Sequence, residues 1–428
     1  MATTSLESVL KDITKKYGKN VAKIGADALV VDGVLSLGSP MIDYCLYGGI
    51  PEGRIVEFCG AEGSGKTSTA FLVAASYQRE ELKRHPVGET WVDSTDTTHE
   101  GPRSIIFLDN EGTLDPDWAK IFGYDLSENA DVRTIVIRPE GQNAEQIFDM
   151  AIELLRTGEV GLLIFDSIST LVPAQINDES QEKYQMGGIA KALTRFSNTA
   201  LGILRKYKAT LIGINQVRDN MSAYGNPLTT PGGRAWKHNC SSRLMFKRGD
   251  FFDEDGNRLS TSAENPAGHI VNVAVLKTKT SKWDRKGGSY RLNYTRGIDI
   301  LADTIETALH FGLIDNSTQG TFKIIDLNTG EIKLDEEGNE IKIRGKNNVT
   351  TYFNEHPKEW SELYDQVYEK IRQKDDPFIK SFEQMLNERA EESFGFKINA
   401  ETLAEDVPVV ASSYESDSED YIGDDEIE

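Results

Sequence analysis

The chain has 428 residues, of which 69 are acidic and 47 are lysine or arginine, giving a formal net charge of −22. It is long enough to bury at least one full hydrophobic core, and no run approaches the roughly 20 apolar residues that span a bilayer. Its three cysteines lie far apart without metal-ligand spacing, which excludes a disulfide framework and indicates a reducing compartment. We therefore expect a cytoplasmic protein without a membrane partner.

The acidic residues are concentrated at the carboxyl end of the chain. No lysine or arginine follows Lys397, and residues 415–428 alone carry eight acids. A block of like charges repels itself, so residues 397–428 are expected to form a disordered tail. The tail has two interpretations, a solubility segment or a competitor of nucleic acid for a basic groove. Net charge governs association and solubility, so it does not exclude a local nucleic-acid site.

In chain order, the first predicted element is an amphipathic helix over residues 5–24, where apolar residues recur at helical spacing. Residues 33–298 then alternate apolar strands with helical patterns, which is typical of a mostly parallel sheet covered by helices on both faces. Residues 84–103 are polar and turn-rich, and they predict a surface excursion between a helix and the next strand. The predicted strands of this region are 54–60, 104–111, 134–138, 161–166, 209–216 and 269–277.

The pattern changes near residue 299. A helical segment there leads into short alternating strands around the turns at 328–330 and 336–339, and two helical stretches, 357–373 and 376–393, follow. This succession predicts a separate small α+β domain. The chain is thus divided into an amino-terminal helical segment (1–32), an α/β core (33–298), the small α+β domain (299–396) and the acidic tail (397–428).

The strongest motif is GAEGSGKT, residues 60–67, which directly follows a predicted strand and precedes a predicted helix. In such a loop the backbone N–H groups and the positive end of the helix hold phosphates. Lys66 is expected to reach the β- and γ-phosphates, and the Thr67 hydroxyl to bind Mg²⁺. The sequence therefore predicts an ATP site that uses Mg²⁺. The predicted nucleotide-binding residues of the loop are Gly60, Ala61, Glu62, Gly63, Ser64, Gly65, Lys66, Thr67 and Ser68.

Two further strands end in carboxylates that suit phosphoryl transfer. Asp166 ends the predicted strand GLLIFD, and an acid at that position, downstream of a phosphate loop, is the expected partner for Mg²⁺. Hydrolysis also needs a carboxylate that polarises water in line with the γ-phosphate. Glu111 and Asp109, at the end of the strand SIIFLDNE, are both candidates, and the motif alone does not choose between them.

Several segments together resemble the bacterial RecA recombinase family. The run GSPMIDYCLYGGIPEGRIVEFCGAEGSGKT is similar to the family's approach to its phosphate loop, and FLDNEGTLDPDWAKIFGYD to its strand with a catalytic glutamate. INQVRDNMSAYGNPLTTPGG resembles the family's second DNA-binding loop, one residue shorter than usual, and KKYGKN and GKNNVTTYFNEHP have counterparts too. The resemblance covers residues 5–373 in the right order. It implies a RecA-like P-loop ATPase core with an amino-terminal helix and a small α+β carboxyl-terminal domain.

The resemblance also implies a function. It implies an ATP-dependent recombinase that forms a helical homo-oligomeric filament on single-stranded DNA, pairs it with double-stranded DNA and exchanges strands. Residues 1–32 would then include a polymerisation segment, and the partners would include a single-strand-binding protein and a self-cleaving repressor of the DNA-damage (SOS) response. Two alternatives stay open: a ring-forming helicase-type motor on the same ATPase core, and a damage-sensing regulator that binds ATP and helps a repressor cleave itself.

For the ATP site, the resemblance assigns roles residue by residue. It makes Glu111 rather than Asp109 the catalytic carboxylate, and it makes Gln216 the γ-phosphate sensor that couples ATP to the second loop. An amide suits this role because it donates to phosphate and can reposition its own backbone. It implies that Lys277 and Lys279 reach the ATP of the neighbouring protomer, as an arginine finger does. The residues that it implies near the adenine are Asp115, Trp118 and Tyr294.

For DNA, the resemblance implies two loops, at 174–186 and 217–232. Met186 and Met221 match apolar residues that wedge between the bases of stretched DNA. Glycine lets the chain approach phosphate closely, and arginine supplies counter-charge. The other DNA-binding candidates are Lys191, Arg195, Arg218, Gly232, Gly233, Arg234, Lys247 and Arg248.

Several positions depart from the family pattern. The first loop, QINDESQEKYQM, carries three acids and lacks the usual glycines, and Asn220 stands where a lysine is common. Each lost phosphate contact should weaken DNA binding and flatten its salt dependence by about one log–log unit. The departures predict a divergent member, and a bacteriophage acting in an infected bacterial cell is one hypothesis for its source. Other departures are Lys191 and Asn198 in place of arginines, Asn272 and Ala274 in place of cations, and His238 in place of an aromatic residue.

Overall fold

The structure is a computed structural model of the chain. The predicted tail at 397–428, the predicted helical stretch at 376–393 and Met221 lie outside the residues that it describes. Among the described helices, none combines the length and the apolar character that crossing a membrane requires. The described residues are 6–17, 33–174, 181–219, 228–254, 256–260, 262–326, 329–335 and 337–372.

Strands and helices alternate along the described part of the chain. The described strands are β1 (Val34–Leu35), β2 (Ile50–Pro51), β3 (Ile55–Gly60), β4 (Thr90–Val92), β5 (Thr98–Glu100), β6 (Ser104–Asp109), β7 (Thr134–Ile137), β8 (Val160–Asp166), β9 (Thr210–Gln216), β10 (Arg218–Asp219), β11 (Leu228–Thr229), β12 (Ser242–Phe252), β13 (Arg258–Leu259), β14 (Gly268–Thr278), β15 (Gly287–Asn293), β16 (Gly297–Ile298), β17 (Ile314–Thr318), β18 (Thr321–Ile324) and β19 (Lys342–Arg344). The described helices are α1 (Leu6–Tyr17), α2 (Pro40–Cys45), α3 (Lys66–Arg84), α4 (Pro116–Ile121), α5 (Ala144–Arg156), α6 (Gln181–Tyr207), α7 (Gly233–Asn239), α8 (Ile300–His310), α9 (Lys346–Glu355) and α10 (Pro357–Arg372).

A ten-stranded mixed sheet forms the centre of the core, in the order β16-β15-β14-β12-β3-β9-β8-β6-β7, with β13 beside β12. From β12 to β7 in this order, each strand is parallel to the next one. β14, β15 and β16 extend the sheet by antiparallel pairing. The prediction of an α/β core built on a mostly parallel sheet is therefore confirmed.

The parallel strands carry unbroken apolar runs because both faces of the sheet are covered. Every residue of β3, β6 and β8 is buried. One face packs against α3, where Phe71 and Val73 join the core, and the other packs against α5 and α6. The rings of Phe148 and Phe196 stack between these last two helices with centroids 4.6 Å apart. Packing on both faces fixes the positions at which the strands end.

The structure also contains elements that the sequence patterns did not predict. The sequences of β12 and β15 contain charged residues or glycines, which are typical of a loop. They nevertheless form strands, because they pair within a sheet whose outer face is exposed. The excursion at 84–103 contains the hairpin β4–β5, and the Ser94 hydroxyl bonds the Lys206 carbonyl oxygen at 2.5 Å near the end of α6. Because α6 begins at Gln181, residues 181–186 of the first predicted DNA loop are helical.

A third hydrophobic cluster lies within residues 301–371, formed by α8, α9, α10 and the antiparallel sheet β17-β18-β19. Two buried carboxylates connect this region to α2 and the segment before it. The Tyr368 hydroxyl donates to Asp43 at 3.0 Å, and the Ser39 hydroxyl donates to Asp303 at 2.6 Å. The small carboxyl-terminal region is thus joined to the core by buried hydrogen bonds.

Candidate functional site

The carboxyl ends of the central strands converge at one edge of the sheet. Gly60 lies opposite Gln216 where β3 pairs with β9, and Asp109 lies opposite Asp166 where β6 pairs with β8. Open α/β sheets bind ligands at this edge, because the loops and helix N-termini meet there. The residues predicted from four separate strand ends are therefore neighbours.

The loop between β3 and α3 has the backbone that phosphate binding requires. Gly63 and Gly65 adopt left-handed conformations, with φ of 65° and 91°, which favour glycine. A Cβ at Gly60 would lie 2.3 Å from the Phe246 carbonyl oxygen, so a larger residue does not fit there. α3 begins at Lys66, and its first N–H groups have no partner within the helix. The loop and the helix end together present N–H donors that suit a phosphate group.

Lys66 is held inside this loop. Its side chain is buried, and its Nζ donates to the Ala61 carbonyl oxygen at 2.7 Å. Burial lowers the pKa of Lys66, while the carboxylates of Asp166 and Glu111 act in the opposite direction. The ammonium is thus close to two acids and within reach of an incoming phosphate. Of the other loop residues, Glu62 is exposed and Ser64 and Ser68 are buried.

Thr67 and Asp166 form a pair of oxygen ligands. The Thr67 hydroxyl donates to Asp166 Oδ2 at 2.7 Å. Burial raises the pKa of Asp166 to about 6 in spite of this bond. Mg²⁺ in nucleotide sites takes one or two protein oxygens together with phosphate oxygens and waters, so the pair fits that ion. Among the described residues, no cluster of three or more His, Cys, Asp or Glu could hold a metal by itself.

The structure distinguishes the two carboxylates near the end of β6. Asp109 is buried and accepts hydrogen bonds from the backbone N–H groups of Thr113 and Leu114, at 3.0 and 3.2 Å. Its Oδ2 also pairs with Arg138 Nε at 3.0 Å. Both oxygens of Asp109 are therefore occupied in shaping the turn after β6.

Glu111 is exposed at the same edge and has different partners. Its Oε1 accepts a hydrogen bond from the Ser167 hydroxyl and lies 3.4 Å from Gln216 Nε2. The carboxylate therefore meets the residue that ends β9, and the role of Gln216 as a sensor of the γ-phosphate stays a prediction. Ser167 was absent from the predictions, although its place directly after Asp166 at a strand end was a usable signal.

The residues expected near the adenine each have a structural partner. Asp115 accepts hydrogen bonds from two backbone N–H groups of the first turn of α4, one of them that of Trp118 at 3.3 Å. Trp118 is half-buried against the core. The Tyr294 hydroxyl lies 2.9 Å from His269 Nδ1, and its ring is 37% exposed. Their contact with a base stays a prediction.

Lys277 and Lys279 both bind the carboxyl end of α7. Lys277 Nζ donates to the carbonyl oxygens of Lys237 and His238 at 2.6 and 2.9 Å, and Lys279 Nζ donates to His238 at 2.5 Å. Cations are favourable there, since the last carbonyl groups of a helix lack partners. Burial, and next the charge of Lys279, lower the pKa of Lys277. Within one chain, the pair therefore holds the helix that follows the second predicted DNA loop.

The second predicted DNA loop, 217–232, has an ordered base. β10 and β11 pair in antiparallel fashion, and the Val217 N–H donates to the Gly60 carbonyl oxygen at 3.3 Å. Gly232 and Gly233 adopt φ of 102° and 74°, and a Cβ at Gly232 would lie 2.7 Å from a side chain of α6. These glycines allow close packing of the loop base on α6, and one end of the loop contacts the phosphate loop.

The remaining candidates for DNA contact are distributed around this loop. Lys191 and Arg195 are exposed one turn apart on α6, and Arg234 is exposed in the first turn of α7. Three exposed cations thus lie on the two helices that meet at the base of the second loop. The side chains of Met186, Arg218 and Met221 lie outside the described part of the structure.

Lys247 and Arg248 are exposed neighbours on β12, so they point to opposite faces of the sheet. The Arg248 guanidinium lies 5.5 Å from the Phe251 ring, and its Nη1 is 3.5 Å from the position of a Cβ on Gly63. Arg248 therefore lies beside the phosphate loop, whereas Lys247 lies on the outer face opposite Asn272.

A buried carboxylate that the sequence predictions missed connects several of these elements. Glu57 on β3 is fully buried, and its Oε1 accepts from Asn215 Nδ2 at 2.9 Å and from Trp236 Nε1 at 3.0 Å. Its Oε2 accepts from Arg243 Nε at 2.5 Å. An acid inside an apolar strand indicates a polar partner in the core, which was the available signal. Glu57 thus joins the strand before the phosphate loop to the helix after the second predicted DNA loop.

Comparison with known proteins gives a consistent family relationship. The RecA N-terminal domain family matches residues 4–85 and 93–299, and the gap falls inside the 84–103 excursion. Protein RecA of Aquifex aeolicus is 31% identical over 372 residues, which cover 86% of this chain and 92% of that protein. Protein RecA of Thermus aquaticus is 30% identical over 380 residues, covering 88% and 95%. Protein RecA of Ruminococcus albus is 31% identical over 315 residues, covering 72% and 69%.

Proposed function

The chain belongs to the RecA family, and from this premise we propose that it is an ATP-dependent recombinase that forms filaments on single-stranded DNA. It pairs that strand with a homologous duplex and exchanges strands, with DNA-stimulated ATP hydrolysis. One observation carries the proposal. Gln216 ends a central strand 3.4 Å from the carboxylate of Glu111 and leads directly into the second predicted DNA loop. A change at the nucleotide can therefore reach the DNA loop through one residue.

The nucleotide is ATP, bound with Mg²⁺. The N–H donors of the loop at 60–67 receive the phosphates, and Lys66 moves its ammonium from the Ala61 carbonyl to phosphate oxygens. Thr67 and Asp166 would hold Mg²⁺, which would neutralise phosphate charge. The raised pKa of Asp166 supports this role, because a buried carboxylate without a cation is unfavourable.

Glu111 is the carboxylate that orients and polarises the attacking water. Its exposure leaves it free to meet water, and the Ser167 hydroxyl fixes one of its oxygens. Gln216 shares that oxygen in this structure and donates to the γ-phosphate when ATP is bound. The switch between these two acceptors is what moves the strand end and the base of the DNA loop.

Lys277 and Lys279 complete the ATP site of the neighbouring protomer in the filament. Within one chain they bind the carbonyl groups at the end of α7. Transfer of two ammonium groups to a neighbour's phosphates would supply the transition-state charge of an arginine finger. Filament assembly would then activate hydrolysis.

Complementary surfaces give filament assembly a chemical basis. On α1 the apolar side chain of Leu6 is 74% exposed, and the last turn holds Lys15 and Lys16. A groove of about 330 Å³ between α5 and α6 has an apolar floor, and its rim holds three acids and two arginines, Arg156 and Arg195. An amphipathic basic helix of one protomer fits such a groove on the next. The acidic groove residues are Glu145, Asp149 and Glu153.

The remaining assignments rest on the resemblance. We propose that 1–32 serve polymerisation, 33–298 form the ATPase core, 299–396 form the small domain and 397–428 form the acidic tail. We place the protein in the cytoplasm of a bacterial cell or of a phage-infected host, with a single-strand-binding protein and a repressor as partners. The proposed DNA contacts are Met186, Lys191, Arg195, Arg218, Met221, Gly232, Gly233, Arg234, Lys247 and Arg248, and the proposed adenine contacts are Asp115, Trp118 and Tyr294.

Steady-state ATPase rates with and without single-stranded DNA test the proposal. We expect strong stimulation by DNA in the parent protein and its loss in Lys66→Ala and Lys277→Ala. Lys83→Ala removes an exposed lysine from the far end of α3 and should behave as the parent. Strand exchange between a circular single strand and a linear duplex then tests the pairing reaction.

The two substitutions report different parts of the proposal. Lys66→Ala should abolish nucleotide binding, whereas Lys277→Ala should retain binding and lose only stimulation. An ATPase rate that is indifferent to DNA would contradict the recombinase function. A rate that depends on DNA in Lys277→Ala as in the parent would contradict the completion of the site by a neighbour.

A further inference from the structure

A buried ion pair that the proposed function does not use lies between the two ends of the second predicted DNA loop. Glu57 on β3 is paired in the strand register with Gly213 on β9 and with Arg243 on β12. Arg243 is paired in turn with Lys277 on β14. Cross-strand neighbours lie on the same face of a sheet. These four residues therefore form a row across one face of the central sheet.

The helix that follows the loop, α7, packs on this row. Its Trp236 is fully buried, and a Cβ at Gly213 would lie 2.7 Å from Trp236 Cζ2, so the indole ring fits only because residue 213 is a glycine. Trp236 Nε1 donates to Glu57 Oε1 at 3.0 Å. Lys277 Nζ donates to the last carbonyl groups of the same helix. The helix is thus bound to the sheet at its centre and at its carboxyl end.

Glu57 also contacts the beginning of the loop. Its Oε1 accepts a second hydrogen bond, from Asn215 Nδ2 at 2.9 Å, and Asn215 directly precedes Gln216, the proposed γ-phosphate sensor. The same Nδ2 donates to the Pro231 carbonyl oxygen at 3.0 Å, near the end of the loop. One amide group therefore connects the buried carboxylate with both ends of the loop.

Arg243 provides a second connection to the end of the loop. Its Nε donates to Glu57 Oε2 at 2.5 Å, and its Nη2 donates to Thr230 Oγ1 at 3.2 Å. Burial acts to lower the pKa of Arg243, but the charge and the hydrogen bond of Glu57 outweigh burial and raise it, so the guanidinium keeps its charge. A planar guanidinium presents its donors in a fixed fork. Arg243 can therefore hold the carboxylate and the loop hydroxyl at the same time.

These contacts form one continuous network. Hydrogen bonds are strong in a buried site, and they fix the positions of the groups that they join. If bound nucleotide shifts Gln216, it also shifts Asn215, and the two bonds of the Asn215 amide then act on Glu57 and on Pro231. Asn215 Oδ1 is buried and lacks a hydrogen-bond partner among the described residues, an unfavourable state that a movement of the amide can relieve. The network consists of Glu57, Arg243, Asn215, Trp236, Thr230 and Pro231.

We propose that Glu57 and Arg243 are positioning residues for the second predicted DNA loop, and that they transmit a shift of Gln216 to the end of the loop that precedes α7. The inference rests on the proposed function, in which nucleotide and DNA affect each other's binding through this loop. Gln216 lies at the beginning of the loop, whereas the network also holds its end. Bound nucleotide can therefore change both ends of the DNA-binding segment together.

The test uses the full-length protein and labelled oligo(dT), with ADP in one series and the slowly hydrolysed ATPγS in the other. The ratio of the two DNA dissociation constants is the coupling factor between nucleotide and DNA. Thr230→Val removes the acceptor of Arg243 Nη2 at nearly constant volume, and Trp236→Phe removes one donor to Glu57. Each variant loses one buried hydrogen bond, so the coupling factor should fall about threefold to tenfold. Linkage requires an equal fall in the factor by which oligo(dT) tightens ATPγS binding.

Two control substitutions match these variants. Thr304→Val removes a fully buried hydroxyl that bonds the Ile300 carbonyl oxygen in α8, and Trp360→Phe removes an indole N–H that has no partner among the described residues. Both lie in the small carboxyl-terminal region and should keep the coupling factor of the parent. They separate loss of the network from the general cost of losing a hydroxyl or an indole ring.

The outcomes separate this inference from the proposed function. A coupling factor equal to that of the parent in both Thr230→Val and Trp236→Phe would overturn this inference alone. So would DNA binding that is weakened by the same factor with ADP and with ATPγS, because the network would then only stabilise the loop. An ATPase rate of the parent that is indifferent to single-stranded DNA would overturn the proposed function, and this inference with it. If Trp236→Phe does not fold, Thr230→Val decides, since Glu57 keeps all of its donors in that variant.

Discussion

Buried charges are compensated differently at two edges of the central sheet, the edge where the strands begin and the edge where they end. At the edge where the strands begin, Glu81 is fully buried and accepts hydrogen bonds from Arg103 N, Nε and Nη2 at 3.0, 2.7 and 2.7 Å. Burial would raise the pKa of Glu81, but the bonds and charge of Arg103 lower it. At the edge where the strands end, Asp166 has one hydroxyl donor, and burial raises its pKa.

The contrast indicates what each edge is for. The charges of Glu81 and Arg103 are balanced within the chain, so this edge serves stability. Asp166, Glu111 and Lys66 are only partly compensated, so this edge is suited to a ligand that brings its own charge. Substitutions at one edge should therefore affect stability, and substitutions at the other should affect turnover.

The largest effect is expected at the ligand edge. Glu111→Gln should lower the DNA-stimulated ATPase rate by about 10²- to 10⁴-fold, because an amide cannot polarise water as a carboxylate does. Its free energy of unfolding should change by less than about 0.5 kcal/mol, since the side chain is exposed. ATPase assays and urea unfolding check the two halves.

Asp109→Asn is the matched substitution two residues away. It breaks the pair with Arg138 and weakens the turn after β6, so it should lose stability. Its ATPase rate per folded molecule should stay within a few-fold of the parent. A larger loss of turnover in Asp109→Asn than in Glu111→Gln would make Asp109, and not Glu111, the catalytic carboxylate.

The next effect is expected at the opposite edge. Arg103→Met removes the guanidinium that neutralises the buried Glu81 carboxylate and leaves the backbone N–H of residue 103 as its hydrogen-bond donor. It also removes a donor from the Tyr207 carbonyl oxygen, so it should cost about 3–5 kcal/mol in the free energy of unfolding. Lys83→Met removes a surface pair with Glu80 whose lysine side chain is 71% exposed, and should change it by less than about 1 kcal/mol. Urea unfolding measures both. Equal losses in the free energy of unfolding would mean that the buried pair contributes no more stability than the surface pair.

A third effect concerns the buried carboxylates at α2. Burial raises the pKa of Asp303 to about 7 from an ordinary value of 3.8. The folded chain therefore keeps this proton longer than the unfolded chain, and the free energy of unfolding falls as pH rises from about 4 to about 7. Asp303→Asn keeps an acceptor for Ser39 and cannot ionise, so it should gain about 2 kcal/mol relative to the parent at pH 8 and little at pH 4.

A control for this pH dependence has the opposite sign. Hydrogen bonds from Ser317 lower the pKa of Asp315, so the stability that this group contributes is lost as pH falls below its ordinary value. Asp315→Asn should leave the decline between pH 4 and pH 7 in place. Persistence of that decline in Asp303→Asn would assign it to other groups, with Asp43 as the first to examine.

The edges also differ in how far the sequence could predict them. The phosphate loop and Asp166 follow from local rules, since a glycine-rich turn and strand-end acids are readable in one segment. The contact of Glu111 with Gln216 and the neutralisation of Glu81 by Arg103 cannot be predicted from one segment, because the partners are distant in sequence. β12 was missed because Lys247 and its neighbours are typical of a loop, and only pairing with β3 and β14 makes them a strand.

The smallest effect tests whether the 84–103 excursion belongs to the stabilising edge. Trp91 stacks between His85 and His99, with ring centroids 4.3 and 4.6 Å apart, and His99 Nε2 lies 2.9 Å from Asp93. His85→Gln removes one stacked ring and should cost about 1 kcal/mol, with faster hydrogen exchange in β4 and β5. ATPase rate and its stimulation by DNA should not change, because the hairpin lies at the end of the sheet away from the phosphate loop. A loss of stimulation without a loss of stability would instead make the excursion part of the functional machinery.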